Sequence, residues 1–273
     1  MSGRMEKISK LVWLGAKYRM AKMGFLSSRS PETKFVILGY PRTGSNLLMT
    51  TLNKHPNVFC YGEIFNNREV RDWDIPYVFR SPFELKKKDE NPVEYARKKI
   101  FGEYPVNVKA VGFKLFYHHA RKEREEEVWE FLKNDKRIKI IHIVRKDLLR
   151  AFVSHALAKE TGKFVNKSGG KSGVRKITLD LNECENYFEK TTKNIREFDE
   201  FFSEHSFLKI FYENLSGDFD KTISEIEEFL GLEKRKLSAG TKKQGAYSLS
   251  EVVTNYSELK EKFAATEWAK FFD

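Results

Sequence analysis

Short apolar runs alternate with helical patterns along most of the chain. The runs at 35–38, 58–60, 111–115, 138–144 and 207–211 are rich in β-branched and aromatic residues, so each predicts a strand. Helical patterns predict helices over 47–53, 123–134, 148–159, 182–204 and 219–230, the last closed by Gly231, with shorter helices after Ser248 and Thr266. Strands and helices alternating in this way predict an α/β fold, a mostly parallel sheet flanked by helices on both faces. Two stretches break the pattern. Residues 66–105 are rich in Pro, aromatic and charged residues and read as an excursion over the sheet that shapes an acceptor pocket. Residues 161–176 contain Lys167-Ser-Gly-Gly-Lys-Ser-Gly173 and read as a flexible basic loop.

Composition narrows the picture only a little. A length of 273 residues with 40% hydrophobic content suits one large α/β domain, taken as 34–273, preceded by a basic segment. That segment, 1–33, is weakly amphipathic, with Leu11, Leu14, Tyr18, Ala21 and Phe25 on one side and Lys7, Lys10, Lys17 and Lys22 elsewhere. It reads as a helix packed on the domain, a frayed terminus, or a helix lying on a membrane surface. Its apolar core is too short for a signal peptide, and no run approaches the ~18 apolar residues that span a bilayer. Lysine and arginine outnumber acidic residues 50 to 39, a net +11 that suits an anionic ligand, an acidic polymer or a membrane without choosing among them. The two cysteines, Cys60 and Cys184, are far apart and lack metal-ligand spacing, which predicts free thiols, a reducing compartment and a cytoplasmic location.

Chemistry concentrates at two strand ends. From Lys34 to Leu48 an apolar strand passes through a glycine-bracketed turn directly into a helix, an arrangement that aims backbone N–H groups and the helix dipole at an anion. Gly39 and Gly44 have Walker A spacing, but the lysine of that motif is missing and Arg42 is the nearest cation. The plain alternative is a strand-to-helix turn with an N-cap serine. The second strand end is Arg145, where a magnesium-dependent NTPase would place an aspartate, so this end favours an anion over a metal. Asp147 can cap the helix that follows, and that helix carries Arg150 and Ser154. The plain alternative is a surface arginine and a serine packed on the core.

Pro41-Arg42-Thr43-Gly44-Ser45-Asn46 resembles the 5′-phosphosulfate loop of sulfotransferases, and the Arg145 to Ser154 segment resembles their 3′-phosphate element. Leu208-Lys-Ile-Phe-Tyr-Glu-Asn-Leu215, leading into 219–232, is similar to the family's Tyr-Glu-x-Leu turn and helix. Residues 242–245 and 249–268 resemble the closing segment of bacterial glycan and nodulation-type members. The resemblance covers about 35–268. It implies a P-loop-like parallel sheet and an enzyme using 3′-phosphoadenosine 5′-phosphosulfate (PAPS) as co-substrate, with no metal. Arg42, Thr43, Gly44, Ser45 and Asn46 would then hold the leaving side, Arg145 and Ser154 the 3′-phosphate, Tyr212 the adenine, and Lys243 and Gln244 a turn folded toward the donor. Lys114, at a strand end like that of a family lysine, would reach the sulfuryl oxygens. The acceptor implied is a hydroxyl on a carbohydrate or glycolipid.

Two candidates stand for the base that takes the acceptor's proton. Glu63 follows the second strand at the sheet's carboxyl end, where desolvation would raise its pKa toward neutrality. His118 and His119 follow Lys114 and are the rivals. Two other classes remain open at this point: a nucleotide kinase or NTPase with a degenerate Walker loop, and a basic nucleic-acid binder. Against the second, no RNA-binding aromatic signature or helix-turn-helix is visible.

Overall fold

All five apolar runs become strands of one parallel sheet. In the computed structural model, which describes residues 27–66, 82–121, 124–161, 175–240 and 247–272, these are β1 (Thr33–Gly39), β2 (Val58–Tyr61), β3 (Ala110–Phe116), β4 (Ile138–Val144) and β5 (Phe207–Phe211). Their spatial order is β2-β3-β1-β4-β5, with every neighbouring pair parallel. Residues 1–26, 67–81, most of the basic loop, and Lys243 and Gln244 lie outside the described residues.

Helices complete the layers in chain order. They are α1 (Ser45–Leu52), α2 (Pro82–Glu90), α3 (Glu127–Asn134), α4 (Leu148–Thr161), α5 (Leu181–Phe201), α6 (Tyr212–Gly217), α7 (Phe219–Leu230), α8 (Leu249–Val252) and α9 (Tyr256–Phe263). Along β1 successive side chains point to opposite faces, and both faces are covered, which is why the run is apolar without a break. Val36 and Leu38 join Phe113, Leu115, Trp129, Phe198 and Phe202 on one face; Phe35 and Ile37 join Leu48, Ile141, Ile143, Ile223 and Ile226 on the other. A third cluster, including Leu149, Val153, Cys184, Phe188, Val252, Phe263 and Phe272, fastens the C-terminal helices to α4 and α5. Both cysteines are buried and free, as expected.

Several boundaries differ from expectation, each for a local reason. Helix α3 begins at Glu127, because the preceding turn carries Glu125 inward to a buried ion pair with Lys88 of α2 at 2.9 Å. Helix α5 stops at Phe201, since Phe202 departs from helical geometry at φ −108° and its ring is fully buried. Within the described part of 66–105 the chain is largely helical, with α2, Pro92–Glu94 capped by Asn91, and a π-helical stretch Tyr95–Ile100. Helices α6 and α9 escaped the pattern reading altogether. Gly231 does close α7, at φ 73°.

Register sets up the site. Gly39 at the end of β1 lies opposite Phe116 of β3 and Ile143 of β4, so three strands finish level and three loops leave from one edge. This is the switch point of the sheet, since the chain builds outward from β1 in both directions. The approach of strands here is close enough to test. A Cβ on Gly112 of β3 would stand 2.5 Å from the Phe35 carbonyl oxygen and the Phe35 ring. Gly112→Ala is therefore expected to destabilise the fold by about 1–3 kcal/mol, read as a lower urea midpoint with an unchanged slope.

Candidate active site

The loop after β1 holds an unusual backbone. Arg42 and Gly44 both sit in the left-handed region, at φ 71° and 85°, with Thr43 between them donating its hydroxyl to the Tyr40 carbonyl at 2.8 Å. Alternating conformations of this kind turn successive N–H groups toward one concavity. Gly44, not Ser45, is the N-cap of α1, and it makes no side-chain cap hydrogen bond, so the N-cap serine reading fails. Glycine is required at 44 for a second reason: a Cβ there would meet the Tyr212 ring at 2.6 Å. Ser45 is buried just behind the turn.

On the β4 side stands Arg145. Its side chain is buried, Nη1 donates to the Arg42 carbonyl at 3.1 Å, and its guanidinium carbon lies 4.6 Å from the centroid of the Tyr212 ring. Its Nε has no hydrogen-bond partner. A buried donor left unpaired is costly, and one that belongs to a cation calls for an anion. Arg42 reaches the same place, with Nε and Nη2 both donating to Ser154 Oγ, at 3.0 and 2.9 Å. Burial, and then the neighbouring Arg145, push the Arg42 pKa below the ordinary arginine value. Arg150 is turned elsewhere: its guanidinium binds Asp147 and the Tyr247 carbonyl, while its backbone N–H donates to Asp147 Oδ1 at 2.8 Å, the cap expected of that aspartate.

A second cluster forms at the far end of the same loop. Lys114 is wholly buried; its Nζ binds Asn46 Oδ1 and lies 3.0 Å from Glu63 Oε1. Asn66 Nδ2 donates to Glu63 Oε2 at 2.7 Å, and His119 Nε2 is 3.7 Å from the same oxygen. Burial alone would raise the Glu63 pKa, but the Lys114 charge and hydrogen bond, His119 and Asn66 outweigh it. The carboxyl is held below its usual range, which corrects the upward shift expected from sequence. His119 is buried, its Nδ1 accepts from the Phe116 N–H at 3.2 Å, and burial drives its pKa down to about 3, so its ring is neutral. His118 is exposed, with its ring edge-on to Tyr40 at 5.9 Å.

The structure thus gathers Glu63, Lys114 and Asn46 in one group and Arg42, Arg145, Ser154 and Tyr212 in another, with Thr43, Gly44 and Ser45 between them. Two participants escaped the sequence reading. Glu213 accepts from the backbone N–H groups of Lys146 and Asp147, at 3.1 and 3.3 Å, and so occupies the entry to α4. Asn66 orients Glu63 from three residues away, a spacing that carried no signal in an irregular segment.

A parallel sheet with a glycine-containing turn leading into a helix at its switch point, and an arginine at the next strand end, frames this site. Residues 32–272 match the sulfotransferase domain, and the chain belongs to the sulfotransferase family. It catalyses sulfuryl transfer, and the family generally uses PAPS. Among its relatives are Nodulation protein H of Rhizobium tropici, 29% identical over 250 residues that cover 89% of this chain and 94% of that protein, and Nodulation protein H of Rhizobium meliloti (strain 1021), 26% identical over 257 residues, 90% and 97%. A sulfotransferase structure from Alicyclobacillus acidocaldarius aligns with 86% of this chain and 92% of its own, at 17% identity and a TM-score of 0.48.

Proposed function

We propose that the chain transfers a sulfuryl group from PAPS to a hydroxyl on a carbohydrate or glycolipid, as a single catalytic domain spanning 34–273. One observation supports the choice of donor: Arg42 links Arg145 to Ser154, its carbonyl accepting from Arg145 Nη1 and its guanidinium donating to Ser154 Oγ, with the Tyr212 ring against Arg145, whose buried Nε has no hydrogen-bond partner. Ser154 Oγ accepts from Arg42, which leaves its own proton to donate. Those groups fit a phosphate, and the ring beside them fits a nucleoside. The acceptor class rests on the nodulation-type relatives and on the resemblance of the closing segment, to which Lys243 and Gln244 belong.

Sulfuryl transfer needs an acceptor oxygen held in line with sulfur, a group to take its proton, and positive charge where the leaving phosphate oxygen gains electrons. The amides of Thr43 to Asn46 and the Ser45 hydroxyl serve the leaving phosphate. Lys114 serves the sulfuryl oxygens, and Glu63 takes the acceptor's proton. A Lys114 ammonium drawn toward the sulfuryl group releases Glu63 from the contact that holds its pKa down, so donor binding makes the base stronger. His118, at the exposed rim, is the alternative base.

Among the described residues no helix is long and apolar enough to cross a membrane. We place the enzyme in the cytoplasm, with no nucleic-acid partner.

Calorimetry on Arg145→Ala tests the donor reading. Adenosine 3′,5′-bisphosphate is expected to lose about 1.5–3 kcal/mol of binding, the worth of a charge-assisted hydrogen bond, while adenosine 5′-phosphosulfate, which lacks the 3′-phosphate, loses much less. Equal loss for both ligands would remove Arg145 from the 3′ position.

A further inference from the structure

We propose that Tyr40 and Tyr187 form the platform that receives a sugar ring of the acceptor, one ring of a longer carbohydrate whose remainder projects into solvent. This rests on the acceptor reading above and adds two side chains that lie outside the sequence motifs.

Rings run in a continuous series of contacts from the candidate base to the two arginines of the donor side. His119, whose Nε2 is 3.7 Å from Glu63 Oε2, has its ring centroid 4.7 Å from that of His118. His118 stands edge-on to Tyr40 at 5.9 Å, and Tyr40 meets Tyr187 at 5.6 Å with their planes 71° apart. Tyr187 in turn lies close enough to Arg145 and Arg42 for both charges to bear on its hydroxyl. An acceptor oxygen must reach the base and the sulfur in one pose, so the molecule that carries it has to lie along this row.

Both tyrosines are held in place before anything binds. Tyr40 precedes Pro41, which biases its backbone toward extended geometry, and its carbonyl accepts from the Thr43 hydroxyl at 2.8 Å. Its ring rests beside the buried Tyr117, at 5.9 Å. Tyr187 projects from α5 and packs on Phe152 of α4 at 4.9 Å. The two rings therefore come from different flanks, Tyr40 from the cluster that includes Phe113 and Trp129, Tyr187 from the one that fastens the C-terminal helices. Each is only half-buried, so part of each ring faces solvent. Rings fixed in advance lower the entropy cost of binding.

The chemistry of the row favours a sugar over a flat phenol or an acyl chain. Tyr40, Tyr187 and His118 each combine an apolar body with a polar tip, two phenol hydroxyls and one imidazole. A pyranose matches that pattern, with C–H groups on its faces and hydroxyls around its edge. A phenol or an acyl chain calls for an enclosed, mostly apolar pocket, whereas His118 is exposed and leaves the row open at that end.

Initial rates of PAPS-dependent sulfation provide the test, with cellotetraose, maltotetraose, tetra-N-acetylchitotetraose and, as a non-sugar, 4-nitrophenol as acceptors. Wild type is expected to sulfate at least one of the oligosaccharides. Tyr40→Leu and Tyr187→Leu should each raise that acceptor's KM by roughly ten- to thirtyfold, the order expected when one aromatic face is lost. Tyr40→Phe, which keeps the ring, should recover most of the loss. Calorimetry with adenosine 3′,5′-bisphosphate supplies the readout that separates a platform from a general structural role, because its affinity should stay within about threefold in every variant. If one leucine variant fails to fold, the other decides. An unmoved oligosaccharide KM, or bisphosphate binding weakened as much as the acceptor, would overturn the platform alone. A wild type that sulfates none of the oligosaccharides would overturn the carbohydrate reading and the platform with it, and sulfation of 4-nitrophenol would then show that the donor half still holds.

Discussion

Glu63→Gln is expected to reduce kcat by about 10²–10⁴-fold, the usual worth of a positioned general base, while the affinity for adenosine 3′,5′-bisphosphate stays within a few-fold. The substitution keeps the shape of the side chain, and an amide oxygen can still accept from Lys114 or Asn66, so the loop and the cation beside it should remain in place. What it removes is the capacity to take a proton. Rapid-quench turnover at saturating donor, paired with calorimetry, separates the two effects. If kcat survives, the base is a histidine, and the structure favours His118 over His119. The neutral His119 ring accepts at Nδ1 from Phe116, so its single proton sits on Nε2, which donates and cannot accept. The wild-type pH profile gives an independent reading. Because the Glu63 pKa lies below the ordinary carboxylate value, the carboxylate form persists through the range where an exposed glutamate would protonate. The acid limb of kcat/KM should therefore appear only below that range.

The layout of this site was legible in the sequence to the extent that it follows from strand ends. The runs that named all five strands are mostly apolar because the sheet is covered on both faces, and the ends of β1 and β4 brought the Arg42 to Asn46 loop and Arg145 to one edge; Lys114, expected at a strand end, lies instead within β3, buried and opposite Ile37. What lay beyond reach was pairing between segments distant in the chain. Nothing local in Tyr212-Glu213 indicates that the ring lies against Gly44 while the carboxylate fills the entry to α4; that depends on β5 sitting next to β4. The direction of the Glu63 shift was misread for the same reason. Position at the sheet edge argued for desolvation, which is present, but a charge balance is set by partners, and Lys114 is 51 positions away in sequence and 3.0 Å away in space. Short helices such as α6 and α9 are held by packing more than by propensity, so their patterns were too brief to read.

Lys114→Met should lower kcat by about 10²–10³-fold, comparable with the loss of one preorganised electrostatic contact to a developing anion. Methionine suits the test because Lys114 is completely buried: an apolar side chain of similar length fills the space of the lysine stem without leaving a cavity. The change does more than delete a charge. It strips Glu63 of the contact that most opposes burial, so desolvation prevails and the carboxyl pKa rises. With the carboxylate now protonated at higher pH, the acid limb of kcat/KM moves upward relative to wild type. The two effects are separable in one experiment, since kcat at high pH reports the lost cation and the limb's position reports the base. Glu63→Gln loses the limb entirely, and the double variant should fall little below the worse single variant if base and cation act on one transition state. A Lys114→Met profile whose acid limb stays where wild type has it would mean that the ion pair does not govern the basicity of Glu63. His118, whose ring lies 5.9 Å from that of Tyr40, would then be the base to test.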